Sequence, residues 1–113
     1  MSEHLQPYED ARKTIKYMFG EDAAQFAMIM TQMFQATEMF VHLLNLVYDH
    51  SDMTEEQFTE ELDAYLAINA ATSEGVAQVM GVSPEQANEV FDIVSNAHQI
   101  VLAKNEQVGK EMH

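Results

Sequence analysis

The sequence predicts an all-α fold, and three observations lead there. Val, Ile and Thr form no alternating run of strand length, and apolar residues recur three and four apart almost throughout. The two prolines and four glycines are few and mostly stand where helix ends are wanted. The expectation is one domain, residues 1–113: a compact bundle of four to five helices with a long, mostly buried second helix, a helix-turn-helix-like corner near residues 74–94, and frayed ends over 1–6 and 105–113. A chain of this length buries roughly 65% of its unfolded surface, enough for one core without disulfides or a structural metal.

The first helix is expected from Pro7 to Phe19, with Pro7 suited to a first helical position and Gly20 to the residue after the last turn. Tyr8, Ala11, Ile15 and Met18 form its apolar face. Arg12, Lys13 and Lys16, on the other side, are three of only five basic residues in the chain. They suit electrostatic docking on the acidic remainder.

The second helix begins near Glu21-Asp22, whose charges complement the positive end of the helix dipole, and continues to about Tyr48 or Asp49. Between Phe26 and Tyr48 it is apolar enough to suggest a membrane span, but Gln32, Gln35, Glu38, His42 and Asn45 interrupt it and no Lys or Arg flanks it closely. At 100° per residue, Thr31, Gln35, Glu38, His42, Asn45 and Asp49 fall within an arc of about 80°. Nearly everything else around the cylinder is apolar. Such a helix is central in the fold or serves two interfaces. Met30 and Met33 are assigned to the core with Phe26, Phe40 and Leu44. Met28, Met39, Leu43 and Leu46 project on a second face and are the expected contact for a homodimer or a partner.

The third helix should start after Ser51-Asp52-Met53-Thr54, where Asp52 with Glu55, or Thr54 with Gln57, can make a reciprocal cap. Phe58, Leu62, Tyr65 and Leu66 form its buried side, with Glu56, Glu60 and Asp63 opposite. The apolar rhythm fails at Ala70-Ala71-Thr72-Ser73-Glu74-Gly75, which predicts a break near Thr72-Ser73 and a short helix from about Glu74 to Met80. The last helix has the clearest start: Ser83 as cap, Pro84 at the first position and Gln86 three after the cap. Its expected core residues are Val90, Phe91, Val94, Ala97 and Val101.

The stretch from Val76 to Val90 resembles the helix-turn-helix motif of transcription regulators, over about twenty residues. Val76, Ala77, Met80, Gly81, Val82, Ala87 and Val90 lie where that motif locks two helices together. The resemblance implies a fixed corner. For DNA reading, the second helix would enter a duplex with Glu85, Gln86, Asn88, Glu89 and Asp92 exposed, and three carboxylates would be repelled. Through Met80-Gly81 and Gln86-Ala87 the segment also resembles ubiquitin-associated domains, but one long helix follows where that pattern ends. A structural corner ranks first, a protein-binding corner second.

Composition excludes further classes. The formal charge is −14, with 19 Asp+Glu against 5 Lys+Arg and no Cys. Direct nucleic-acid binding needs a basic surface that five residues cannot build. Thiol chemistry and a cysteine zinc site are excluded. The N-terminus lacks the basic start and apolar run of a signal peptide, so the cytoplasm of the producing or infected cell is the expected location. Glu38, His42 and His98 do not reach the ligand set of a carboxylate-bridged metal site, because Glu-x-x-x-His occurs once and the companion glutamates are missing. A hydrogen-bonded polar stripe is the better reading. No nucleophile elbow or phosphate-binding loop occurs, and no metal or cofactor is expected.

The positive signal is acidic. Asp49, Asp52, Glu55, Glu56, Glu60, Glu61 and Asp63 make seven carboxylates in fifteen residues, with no Lys or Arg among them. Exposed helices ordinarily mix Glu with Lys four residues on, because the pair stabilises them. Here nothing balances the charge. The expected function is therefore a non-enzymatic acidic interaction protein that binds a basic surface of a partner protein, as a nucleic-acid mimic inhibiting a nucleic-acid-processing complex of viral or mobile-element type. Its expected contacts are Asp49, Asp52, Glu55, Glu56, Glu60 and Asp63. One alternative is a dimeric helical regulator using its corner for protein contacts. Another is a small-molecule-binding bundle with a pocket lined by Met and Phe.

Overall fold

The computed structural model describes residues 5–111, with side chains described through Lys104. Four helices follow one another: α1 (Gln6–Phe19), α2 (Glu21–His50), α3 (Glu55–Val79) and α4 (Pro84–Glu111). No strand occurs among the described residues. Of the ends expected to fray, residues 1–4 and 112–113 lie outside the described residues, and the backbone is helical from Gln6 to the start of Gly20 and through to Glu111 at the other end.

Local chemistry sets each boundary. Pro7 opens α1, and Gly20, at φ 100°, takes a backbone conformation that other residues rarely adopt, so α2 can start at once in a new direction. Thr54 and Gln57 complete a capping box: the Gln57 N–H donates to Thr54 Oγ1 at 3.1 Å, and the Thr54 N–H donates to Gln57 Oε1 at 3.0 Å. At the corner, the Gly81 N–H donates to the Gln78 carbonyl at 3.2 Å and the Val82 N–H to that of Ala77 at 2.9 Å. With Gly81 at φ 75° and Val82 and Ala77 both buried, this is a complete Schellman stop. Ser83 then caps α4 by accepting from the Gln86 N–H at 3.2 Å.

α3 is continuous, so the bundle has four helices and the break expected near Thr72-Ser73 does not occur. Ala67, Ala70 and Ala71 are the best helix formers available, and Ser73 Oγ donates back to the Ala70 carbonyl at 2.9 Å. The apolar rhythm fades there because that part of α3 is mostly exposed, not because the helix ends.

The main core gathers at one end. Ile15 of α1, Phe26, Ala27 and Met30 of α2, Ala77 of α3, Val82, and Val90 and Val94 of α4 form one buried cluster. Tyr8, Ala11, Ala97 and Val101 make a second, between α1 and α4. Phe34 meets Phe91 and Glu38 meets His98, so α4 runs in the direction of α2.

Several residues expected in the core lie outside its two clusters. Phe40 is only half-buried, stacked on Tyr65, and Leu44 is buried but apart from both clusters. Three more are half-exposed. Met18 is half-exposed because Phe19, nearer the middle of the α1 face, fills the place. Phe91 and Leu66 are half-exposed because α3 and α4 part beyond the corner and leave a groove between them.

α2 is long, but within one chain it is not mostly buried. Its buried residues are Ala23, Ala24, Phe26, Ala27, Met30 and, in the second half, Leu44 alone. Neither buried cluster has a member on α2 beyond Met30 or a packed neighbour on it beyond Phe34. There α2 and α3 form a two-helix hairpin. Its seam steps down both helices in opposite directions: Tyr48 edge-on to Phe58 at 5.4 Å, Phe40 stacked on Tyr65 at 4.0 Å, and Asn69 Nδ2 donating to Thr37 Oγ1 at 3.0 Å.

Candidate interaction surface

The hairpin tip carries the acidic residues singled out from the sequence. Asp49 lies in the last turn of α2, Asp52 in the connecting turn, and Glu55 and Glu56 in the first turn of α3, with Glu60 and Asp63 further along. All six are exposed. Because Phe58, Leu62 and Tyr65 turn towards α2, Glu56, Glu60 and Asp63 stand in a row on the outer side of α3. Residues four apart rise about 6 Å, so the row is a regularly spaced line of negative charge on a rigid support.

Electrostatics treat the six unequally. Glu55 and Glu56 sit at the positive end of the α3 dipole, which favours them. Asp49 sits at the negative end of α2, which does not. Glu60 and Asp63 are beyond the reach of either end. Among the described residues Lys16 pairs with Glu21 at 3.1 Å and His98 Nε2 faces Glu38 at 3.4 Å, and neither contact involves the tip. The expected docking of α1 on the acidic remainder thus amounts to Lys16 on the adjoining turn, a half-exposed pair of small worth.

A second surface runs along α2. Met28, Met39, Leu43 and Leu46 are 50%, 61%, 52% and 43% exposed, and Val47 joins them at 48%. Met28, Met39 and Leu46 lie on the side turned away from Leu44 and Phe26, with Leu43 and Val47 at its flank. Met28 stands apart, about three turns nearer the core, at the edge of a depression of about 280 Å³ shared with Arg12, Gln32 and Gln35.

The polar stripe is divided. Glu38 reaches the buried His98, whose Nε2 lies 3.4 Å from Glu38 Oε1, while His98 Nδ1 lies 2.6 Å from Tyr8 Oη. Burial, with a smaller push from the Glu38 charge, raises the Tyr8 phenol above its ordinary 10.0. The Glu38 carboxylate only accepts, so Nε2 carries the hydrogen facing it, and in that tautomer Nδ1 accepts from the Tyr8 phenol. An activated nucleophile would need the opposite shift. The chain of three ties α1, α4 and α2 together. His42 and Asn45 remain exposed. Sequence reasoning placed Glu38 and His98 in a polar stripe but left Tyr8 among the apolar residues of α1; nothing within α1 signals a partner ninety residues away.

The sequence suggests a pocket lined by Met and Phe without locating it, and a groove of that kind lies between α2, α3 and α4. Met30, Met33, Phe34, Leu66, Asn69 and Phe91 line a largely apolar groove of about 230 Å³. Helical spacing assigns Met30, Met33, Leu66 and Phe91 each to a buried face, so the opening between them has no signal of its own. Among the described residues no group of three or more His, Cys, Asp or Glu is placed to hold a metal ion. No helix among them is long and apolar enough to cross a membrane.

No protein-family model, curated protein or solved structure matches this chain.

Proposed function

We propose that this protein is a non-enzymatic acidic interaction protein whose hairpin tip binds a basic surface of a partner protein, acting as a nucleic-acid mimic towards a nucleic-acid-processing complex. The observation that carries the reading is the row Glu56, Glu60 and Asp63, exposed on a rigid helix with no cation paired to it among the described residues. Mixing Lys into such a face would make the helix more stable, so the uncompensated repulsion along α3 is what favours a binding role. The protein works as a homodimer formed through the open side of α2, which supplies the burial that its second half lacks in one chain.

The test is retention of proteins from host extract on the immobilised chain, compared with the variant Glu56→Lys, Glu60→Lys, Asp63→Lys. Basic nucleic-acid-binding proteins should be held by the first, lost from the second and released steeply by salt. Equal retention by both would reduce the row to a solvated face.

A second reading, a small-molecule-binding bundle, is favoured by the groove beside Phe91. It predicts that a small apolar ligand raises the melting temperature and that Phe91→Ala abolishes the rise.

A further inference from the structure

We infer that two copies of this chain pair α2 against α2 in antiparallel order about a two-fold axis near Leu43, so that the turn Ser51–Thr54 of each copy enters the Arg12 depression of the other. This arrangement rests on the reading that α2 self-associates, and gives it a specific geometry.

Charge argues for a second copy as the occupant. Between Ala23 and Tyr48 the only Asp, Glu, Lys or Arg is Glu38, which is turned to His98. In a chain of charge −14, the side of α2 carrying Met39, Leu43 and Leu46 is thus free of carboxylates. A basic partner finds nothing there to pair with. A second copy finds an uncharged apolar side like its own, which is what a two-fold interface requires.

Exposure agrees: Met39, Leu43, Leu46 and Val47, along one stretch of α2, are each 43% to 61% exposed.

Direction follows from the tips. A parallel pair would bring Asp49, Asp52 and Glu55 of both copies together, and like charges facing each other are unfavourable. An antiparallel pair separates them. With the axis near Leu43, Met39 of one copy meets Leu46 of the other. The turn that begins eight residues beyond the axis then falls beside residues eight before it, which is Gln35, and next Gln32. Those two glutamines line the depression of about 280 Å³ that also holds Arg12, one of the five basic residues of the chain. Asp52 thereby reaches Arg12, with Glu9 as the one opposing carboxylate in the depression. In the dimer the turn and Asp52 are covered, and the surface left for a basic partner is the outer row Glu56, Glu60 and Asp63, which stays open in both copies on the far side of α3.

The native sequence has no cysteine, so single cysteines report the geometry directly. Sedimentation of the full chain at high micromolar concentration should show a dimer, and Leu43→Glu should make it a monomer of unchanged helicity, since Leu43 is half-exposed. Under oxidation, a mixture of Asp52→Cys and Gln35→Cys chains should yield the mixed disulfide dimer, while neither variant joins to itself. A monomer would overturn self-association and the arrangement together. A dimer in which Asp52→Cys joins to itself, or in which the mixture forms no disulfide, would overturn the arrangement alone.

Discussion

The two halves of α2 differ more than any two other parts of the molecule. From Ala23 to Met30 it packs into one buried cluster with residues of α1, α3 and α4 and holds Phe26, which is 2% exposed; from Met39 to His50 its aromatic contacts are with α3 and it holds one buried residue, Leu44. The same helix therefore anchors the fold at one end and offers surface at the other. Regular hydrogen bonding carries the rigidity of the first half into the second, so the acidic tip is held in place without a core of its own. Surface of this kind can change its chemistry at little cost in stability.

Substitutions at the two ends should separate accordingly. Phe26→Ala removes a large side chain from the enclosed end and should cost about 3–5 kcal/mol, seen in denaturant melts as loss of most of the stability. Tyr65→Ala removes the stacking partner of Phe40 in the hairpin and should cost about 2 kcal/mol, since both rings are only half-buried. Comparable losses at the two sites would abolish the distinction.

Tyr8 joins the ends through His98 and Glu38. Tyr8→Phe leaves His98 Nδ1 without its donor and should cost about 1–2 kcal/mol. The raised phenol also sets a pH dependence. The folded chain holds this proton more tightly than the unfolded chain, so stability should be intact below pH 10 and fall as pH rises through and above it. That part of the alkaline decline should be missing in Tyr8→Phe.

The smallest effect is expected at the tip and carries the opposite sign. Glu60→Lys with Asp63→Lys relieves like-charge repulsion beyond the first turn of α3 and should raise the melting temperature slightly, by a few tenths of a kcal/mol. A clear loss of stability would mean that these carboxylates have structural partners.

Helix ends were legible in the sequence because each is set by residues within one turn. Pro7 and Gly20, the Thr54–Gln57 box, Gly81 and Ser83 act locally, and the structure uses them as their chemistry dictates. The acidic run was legible as a run, and its outer row followed from helical spacing. What failed was local reading of non-local facts. Fading periodicity after Ile68 looked like a break, yet it records only that no helix covers that side of α3. Phe91 looked like core because it borders Val90 and Val94, but its exposure depends on where α3 goes. The breadth of the apolar arc of α2 was legible; which half the bundle would cover was not, since that depends on where α1 and α4 end alongside it. The Tyr8–His98 bond had no sequence signal at all.

The division of labour along α2 is tested most directly by residue-resolved amide hydrogen exchange on the native chain at low concentration. Amides from Phe26 to Phe34 should exchange only through global unfolding. Those from Leu43 to Tyr48, and from Phe58 to Leu62 across the seam, should exchange through local opening of markedly lower free energy. Raising the concentration until the chain dimerises should protect the second half of α2 selectively. Uniform protection along the whole of α2 at low concentration would contradict the account, because the acidic tip would then belong to the same cooperative core as Phe26.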